Sequence, residues 1–150
     1  MQPGSPASAK PRSSKPGQAA SITPVEGFDF VHHERVRFRD VDEMGHVNNA
    51  VFLTYIEQAR IAYLLGFDAR VTDMILARAE IDFRAPLRTG DELEIGVRPL
   101  AVGTKSFQLE YHVRSGNTLA AEAKTVIVSY DYETGRSVEL PDTWKEALAA

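Results

Sequence analysis

Beyond residue 66 the chain reads almost entirely as half-buried strand, and that run most narrows the folds open to it. Ile81 and Phe83 alternate with Glu80, Asp82 and Arg84, and Leu93, Ile95 and Val97 alternate with Glu94 and Arg98. Phe107, Leu109, Tyr111 and Val113 alternate with Gln108, Glu110, His112 and Arg114, and a further strand is predicted over about 119–130. Turn signals at Arg88-Thr89-Gly90-Asp91, Val102-Gly103 and Ser115-Gly116-Asn117 separate these stretches, so the strands are expected to run antiparallel. Glu133-Thr134-Gly135 leads to a last short strand, and Pro141-Asp142 opens a terminal helix. Ahead of the strands, Phe52, Tyr55, Ile56, Ala59, Ala62 and Tyr63 recur at helical spacing, with Asn48 or Asn49 suited to cap the start and Gly66 the end. Val36 and Phe38, alternating with Arg35, Arg37 and Arg39, predict one more strand before that helix. One helix cannot cover both faces of such a sheet. The economical solution is an α+β fold, a curled antiparallel sheet of five or six strands wrapped around one long helix. The remaining face or an edge is then expected to bury itself against a second subunit, giving a homodimer or homotetramer.

A chain of 150 residues with 43% hydrophobic and 25% charged residues supports one domain with one ordinary core. Residues 1–27 are expected to form a flexible Ser/Pro/Ala-rich tail ahead of a folded domain over 28–150. The first 25 residues contain Lys10, Arg12 and Lys15 and no acid, and offer no periodic apolar positions to offset the entropy of ordering. That segment lacks the apolar stretch of a secretory signal, and its prolines make a poor amphipathic helix, so a cytoplasmic location is expected. No apolar run reaches membrane-spanning length, so no membrane partner is expected. The whole chain carries a net charge of −4, which argues against nucleic acid as a partner. There is no cysteine, hence no disulfide, thiolate metal site or cysteine nucleophile, and His32, His33, His46 and His112 leave little material for a zinc site. No metal site is expected.

Positions 36, 38, 40 and 42 share one face if the first strand stays extended, which places Asp40 and Asp42 on a buried stripe where strand gives way to helix. A buried carboxylate is costly unless it is paired, hydrogen-bonded or used. The helix N-terminus that follows offers free N–H groups and the positive end of a dipole. A carboxylate beside such donors supplies two parts of an acyl-transfer site, although on spacing alone a buried aspartate at a strand end is more often a structural cap. The Asp40-x-Asp42-x-x-Gly45 spacing imitates an EF-hand loop, but Met44 and Val51 would fall at ligand positions and bind no calcium.

The full string is more specific than its spacing. Val36-Arg37-Phe38-Arg39-Asp40-Val41-Asp42-Glu43-Met44-Gly45-His46-Val47-Asn48-Asn49, followed by Tyr55-Ile56-Glu57-Gln58-Ala59-Arg60 and Tyr63, resembles the hotdog-fold acyl-CoA thioesterases, in particular the 4-hydroxybenzoyl-CoA thioesterase type. The resemblance continues through Ala85-Pro86-Leu87-Arg88-Thr89-Gly90-Asp91-Glu92-Leu93 and covers about residues 30 to 141. It implies the same wrapped sheet, hydrolysis of an acyl-CoA substrate to a carboxylic acid and free coenzyme A, and no cofactor, coenzyme A being part of the substrate. It further implies that Asp42 is the catalytic carboxylate, as nucleophile or as activator of water, and that the Asn49 N–H faces the thioester oxygen.

Some bacterial members carry a histidine where this chain has Asn49. The Gly45-His46-Val47-Asn48-Asn49 string is instead similar to acyl-carrier-protein thioesterases, whose Asp, Asn and His would fall on Asp42, Met44 and His46. Met44 breaks that set, since a thioether does not replace an amide. His46 remains a candidate to orient water or polarise the carbonyl. Phe52 and Tyr55 are candidates for the acyl pocket, and Arg84 and Arg88 for the coenzyme A phosphates. Glu57 is expected to pair with Arg60, while the Arg35, Arg37 and Arg39 row reads as a solvated face. Two alternatives follow: a thioesterase acting on an acyl carrier protein, and a non-catalytic module that binds acyl-CoA.

Overall fold

In the computed structural model, residues 27–67 and 69–149 are described. The segment 1–26, read above as a tail, lies outside them. The elements are β1 (Phe30–Arg35), a 3-10 turn (Phe38–Asp40), α1 (Asn49–Leu65), a second 3-10 turn (Val71–Asp73), β2 (Met74–Phe83), β3 (Glu92–Val102), β4 (Ser106–Ser115), β5 (Thr118–Asp131), β6 (Arg136–Ser137) and α2 (Asp142–Ala149). The strands form one antiparallel sheet in the order β1-β3-β4-β5-β2, with β6 added to β5. This is the α+β hotdog arrangement expected from the sequence. Among the described residues no helix is long and apolar enough to cross a membrane.

The core lies between the sheet and α1. Phe52, Tyr55, Ile56, Ala59 and Leu64 of the helix are buried with Leu93, Ile95 and Val97 of β3 and Phe107, Leu109, Tyr111 and Val113 of β4. The alternating apolar residues read from the sequence therefore fill the concave side. Helix α1 lies nearest β1 and β3. Asn48 caps it, its side-chain oxygen accepting the Ala50 N–H at 2.9 Å, and Gly66 ends it in a right-handed conformation, φ −66°. On the outer face Phe28 is buried between the Arg98 guanidinium, 4.5 Å from its ring, and His112, whose ring centroid is 4.7 Å away. Gly96 makes that slot, because a Cβ there would come within 2.5 Å of the Phe28 ring. Burial is the main cause of a lowered His112 pKa, although Glu122 and Glu110 pull the other way.

The strand predicted through Phe38 ends sooner. β1 stops at Arg35 and the chain tightens into the 3-10 turn, which breaks the alternation. Phe38 is consequently 83% exposed and Asp42 is also exposed, while Val36 and Asp40 are buried, so the continuous buried stripe through Asp42 does not form. Asp40 alone takes the buried position. Its Oδ2 accepts the Tyr55 hydroxyl at 2.7 Å and the Arg37 N–H at 2.9 Å, and its backbone carbonyl accepts the Asn48 N–H at 3.0 Å.

Burial would push the Asp40 carboxyl up, but the Tyr55 and Arg37 hydrogen bonds and the charges of Arg37 and Arg39 outweigh it and hold the group below 3.8. Burial, and then Asp40 itself, push the Tyr55 phenol well above its ordinary value. Tyr55→Phe removes one of the two donors from a buried carboxylate and is expected to cost about 1–3 kcal/mol of stability, read by urea unfolding. A folded pKa below the unfolded one stabilises only the ionised form. The stability advantage of wild type over Asp40→Asn is therefore complete above the unfolded value of about 3.8 and disappears as pH falls through the lower folded value, read by unfolding at a series of acidic pH values.

Candidate active site

Between Asp40 and α1 the chain makes a loop held chiefly by main-chain bonds. Val41 bridges to Val47. The Asp42 N–H donates to the His46 carbonyl at 2.8 Å and the Gly45 N–H to the Asp42 carbonyl at 3.0 Å. Gly45 turns the loop at φ +79°, a left-handed conformation that side chains disfavour. The Val47 N–H donates to the Leu87 carbonyl at 2.8 Å, which ties this loop to the segment joining β2 and β3.

The Asp42 carboxylate is held at one oxygen only. Its Oδ1 accepts the Met44 N–H at 2.9 Å and the His46 N–H at 3.4 Å, and among the described residues Oδ2 has no hydrogen-bond partner. A few residues on, the Asn48 side chain takes the Ala50 N–H and its carbonyl takes the Val51 N–H at 2.9 Å. The Asn49 N–H, first in the helix, has no intrahelical acceptor by the geometry of a helix start. One free carboxylate oxygen and one free N–H thus lie at the same end of α1.

Both residues line a cavity of about 480 Å³, together with His46, Val47, Asn48, Phe52, Phe83, Arg84, Ala85 and Pro86. Phe52 and Phe83 meet edge-to-face, centroids 5.2 Å apart, and make an apolar wall. Arg84 stands at the rim, its Nη2 2.8 Å from Glu122 Oε2. The cavity therefore combines a carboxylate, a helix N-terminus, an aromatic surface and a cation.

Of the residues singled out from sequence, Asp42, His46, Asn49, Phe52 and Arg84 come together in this cavity. Tyr55 does not line it: the residue is 1% exposed and its hydroxyl is committed to Asp40. Arg88 also lies outside the lining, in the turn before β3, where its N–H donates to Asp91 Oδ2 at 2.9 Å. Glu57 and Arg60 approach to 3.9 Å, the expected pair. Sequence reasoning passed over Phe83, Ala85 and Pro86 as lining. The available signal was Phe83's place as the last inward position before a Pro-containing turn, directly ahead of Arg84. Among the described residues no group of three or more His, Asp or Glu is placed to hold a metal ion.

Comparison with known proteins bears on this arrangement. A family model described as the thioesterase-like superfamily matches residues 36–148. A thioesterase from Thermus thermophilus, crystallised with coenzyme A and Zn, is similar with a TM-score of 0.77 and 38% identity, over 82% of this chain and 93% of that one. A 1,4-dihydroxy-2-naphthoyl-CoA hydrolase from Nostoc punctiforme is 29% identical over 121 residues, covering 75% of this chain and 82% of the relative. YsmA of Bacillus subtilis, described as uncharacterized, is 31% identical over 129 residues, 81% of this chain and 86% of its own.

Proposed function

The chain belongs to the thioesterase-like superfamily and is a hydrolase of thioester bonds, and from that premise we propose that it cleaves an acyl-CoA to a carboxylic acid and free coenzyme A, with Asp42 as the reacting carboxylate. The observation that carries this reading is the half-free carboxylate of Asp42 in one cavity with the first N–H of α1.

In this reading the thioester carbonyl oxygen accepts the Asn49 N–H. As the carbonyl carbon becomes tetrahedral, the charge on that oxygen grows against the positive end of the α1 dipole. Asp42 Oδ2 serves either of two routes. It takes the proton of an attacking water, or it attacks the carbon itself to give an anhydride that water then opens. In both the C–S bond breaks, the sulfur leaves as thiolate and takes up a proton, and water supplies the oxygen of the product acid. No step requires a metal or redox cofactor. His46, on the cavity wall, is assigned to orienting that water. Phe52 and Phe83 would hold the acyl group, and Arg84 would meet the coenzyme A phosphates.

The carrier-protein alternative needs a free basic face for an acidic partner. Arg35 lies 3.6 Å from Glu92 and Arg37 3.9 Å from Asp40, the same kind of pairing that Arg84 makes with Glu122, so the preference for coenzyme A rests on the similarity to a coenzyme A-bound thioesterase and a CoA-ester hydrolase. We assign a homo-oligomer as the working form, with the cavity at a subunit boundary, because α1 lies toward one side of the sheet.

Thiol release from a panel of short, long and aromatic acyl-CoAs tests the assignment. Asp42→Asn keeps an acceptor oxygen for the Met44 and His46 N–H groups, so the variant is expected to fold normally and to lose about 10²–10⁴-fold in kcat/KM. Normal turnover by this variant removes Asp42 from the mechanism, and tight binding of acyl-CoA by wild type without release of thiol turns the assignment to carrier-protein substrates first and to a binding module second. Arg84→Gln is expected to raise KM for coenzyme A esters about tenfold and to leave kcat and the KM for phosphate-free N-acetylcysteamine thioesters unchanged. An equal rise for both substrates places Arg84 in the fold and not in phosphate binding.

A further inference from the structure

Arg84 is tied to β5 twice. Its N–H donates to the Ala120 carbonyl at 2.8 Å, and the Ala85 N–H shares that carbonyl at 3.1 Å. Its side chain lies on the outer face of the sheet, where Nη2 and Nε both donate to Glu122 Oε2, at 2.8 and 3.3 Å. From Arg84 the chain runs through Ala85 and Pro86 to Leu87, whose carbonyl accepts the Val47 N–H of the loop that carries Asp42. The guanidinium is therefore held at a fixed place relative to that loop.

On stability alone Glu122 is a poor choice for its position. The residue directly across from it on β2 is Asp82, and like charges in facing positions destabilise a sheet. On the β4 side it faces His112, whose Nε2 is 3.5 Å from Glu122 Oε1. His112 sits against the Phe28 ring, and the burial that lowers its pKa leaves it mostly uncharged at neutral pH. Among the described residues, Arg84 is then the one permanent cation within salt-bridge distance of Glu122. The pair that Glu122 makes with Arg84 offsets the charge it brings next to Asp82.

A guanidinium offers a carboxylate or phosphate two donor edges, a side formed by Nε with Nη2 and an end formed by Nη1 with Nη2. Glu122 takes the side of Arg84 and leaves the end free at the cavity rim. We propose that Glu122 is a positioning residue for coenzyme A: it holds Arg84 by the side of the guanidinium, so that the end is presented, already ordered, to a phosphate. The inference rests on the reading of Arg84 given above and adds the residue that aims it. Two effects of the carboxylate oppose each other. Its charge repels the phosphate, but the two anions stand on different edges of a half-exposed guanidinium, where water and salt screen them. Its hold removes rotamer freedom that a long side chain would otherwise lose on binding. At an exposed rim the second effect prevails.

Steady-state kinetics with a coenzyme A ester and with the matching N-acetylcysteamine thioester test this role. Glu122→Ala is expected to raise KM for the coenzyme A ester about three- to tenfold, with kcat and the KM for the phosphate-free thioester unchanged. Glu122→Gln keeps an acceptor oxygen for Nε and Nη2 and is expected to show a smaller rise. Asp82→Asn, which changes the facing carboxylate only, is expected to leave both KM values as in wild type. Arg84→Gln combined with Glu122→Ala is expected to match Arg84→Gln alone, since Glu122 acts through Arg84. A KM for the coenzyme A ester that falls or stays constant in Glu122→Ala overturns the inference, as does a further rise in the double variant. An equal rise for both thioesters places Glu122 in the fold and overturns it too. In each of these cases a raised KM in Arg84→Gln leaves the phosphate-binding reading standing, whereas an unchanged KM in Arg84→Gln overturns both.

Discussion

A single buried carboxylate fixes where the helix starts. Asp40 sits at the end of the 3-10 turn and joins three pieces of chain: Arg37 before it, Asn48 at the helix cap, and Tyr55 two turns into α1. A charge in that position is tolerable because the Arg37 N–H and the Tyr55 hydroxyl both donate to the carboxylate, while the Asn48 N–H donates to the Asp40 backbone carbonyl. The N-terminus of α1 is thereby held against the exit of β1, and every other feature of the cavity is placed relative to it. Asp42, two residues on, has the opposite situation. It is exposed and held at one oxygen, and its free oxygen faces no competing donor among the described residues. Two aspartates in one short string thus differ in kind, one buried and fully committed, the other exposed and held at a single oxygen.

Most of the architecture was legible because it depends on periods. The strands over Leu93 to Val97 and Phe107 to Val113, and the apolar face of α1, fill one core because alternation and helical spacing each present one face. The division between Asp40 and Asp42 was not legible from period. Extending the alternation from Val36 through Phe38 assigned both aspartates to one buried face, whereas the turn at Phe38–Asp40 follows from contacts with Tyr55 and Asn48, distant in sequence. Tyr55 illustrates the same point. Its helical position correctly placed it in the core, but only its hydrogen bond to Asp40 shows that its hydroxyl is already committed. Arg84 and Arg88, alike in sequence, part company because one ends β2 at the cavity and the other enters the turn into β3.

The cavity is shaped by main chain at its Asp42 end and by side chains elsewhere. The loop over Asp42 to Val47 is closed by backbone bonds, and Met44 at its tip is 80% exposed. The apolar wall, by contrast, depends on Phe52 and Phe83, and the rim on Arg84. Changes in those side chains can alter what enters without moving the carboxylate or the helix N–H groups.

In β2 the register against β5 shifts between Leu76 and Arg78, which makes Ala77 an extra residue, a β-bulge. Along β2 the inward residues are even-numbered before it and odd-numbered after it, so the strand is two half-strands out of phase, and one added residue brings them onto the same face. A uniform period-two pattern would have turned one half over and buried Arg78 or exposed Met74. The strand therefore tolerates a change of length poorly, at this position as at any other. A lineage that lost or gained a residue here would interchange the inside and outside of half an edge while leaving its composition unaltered.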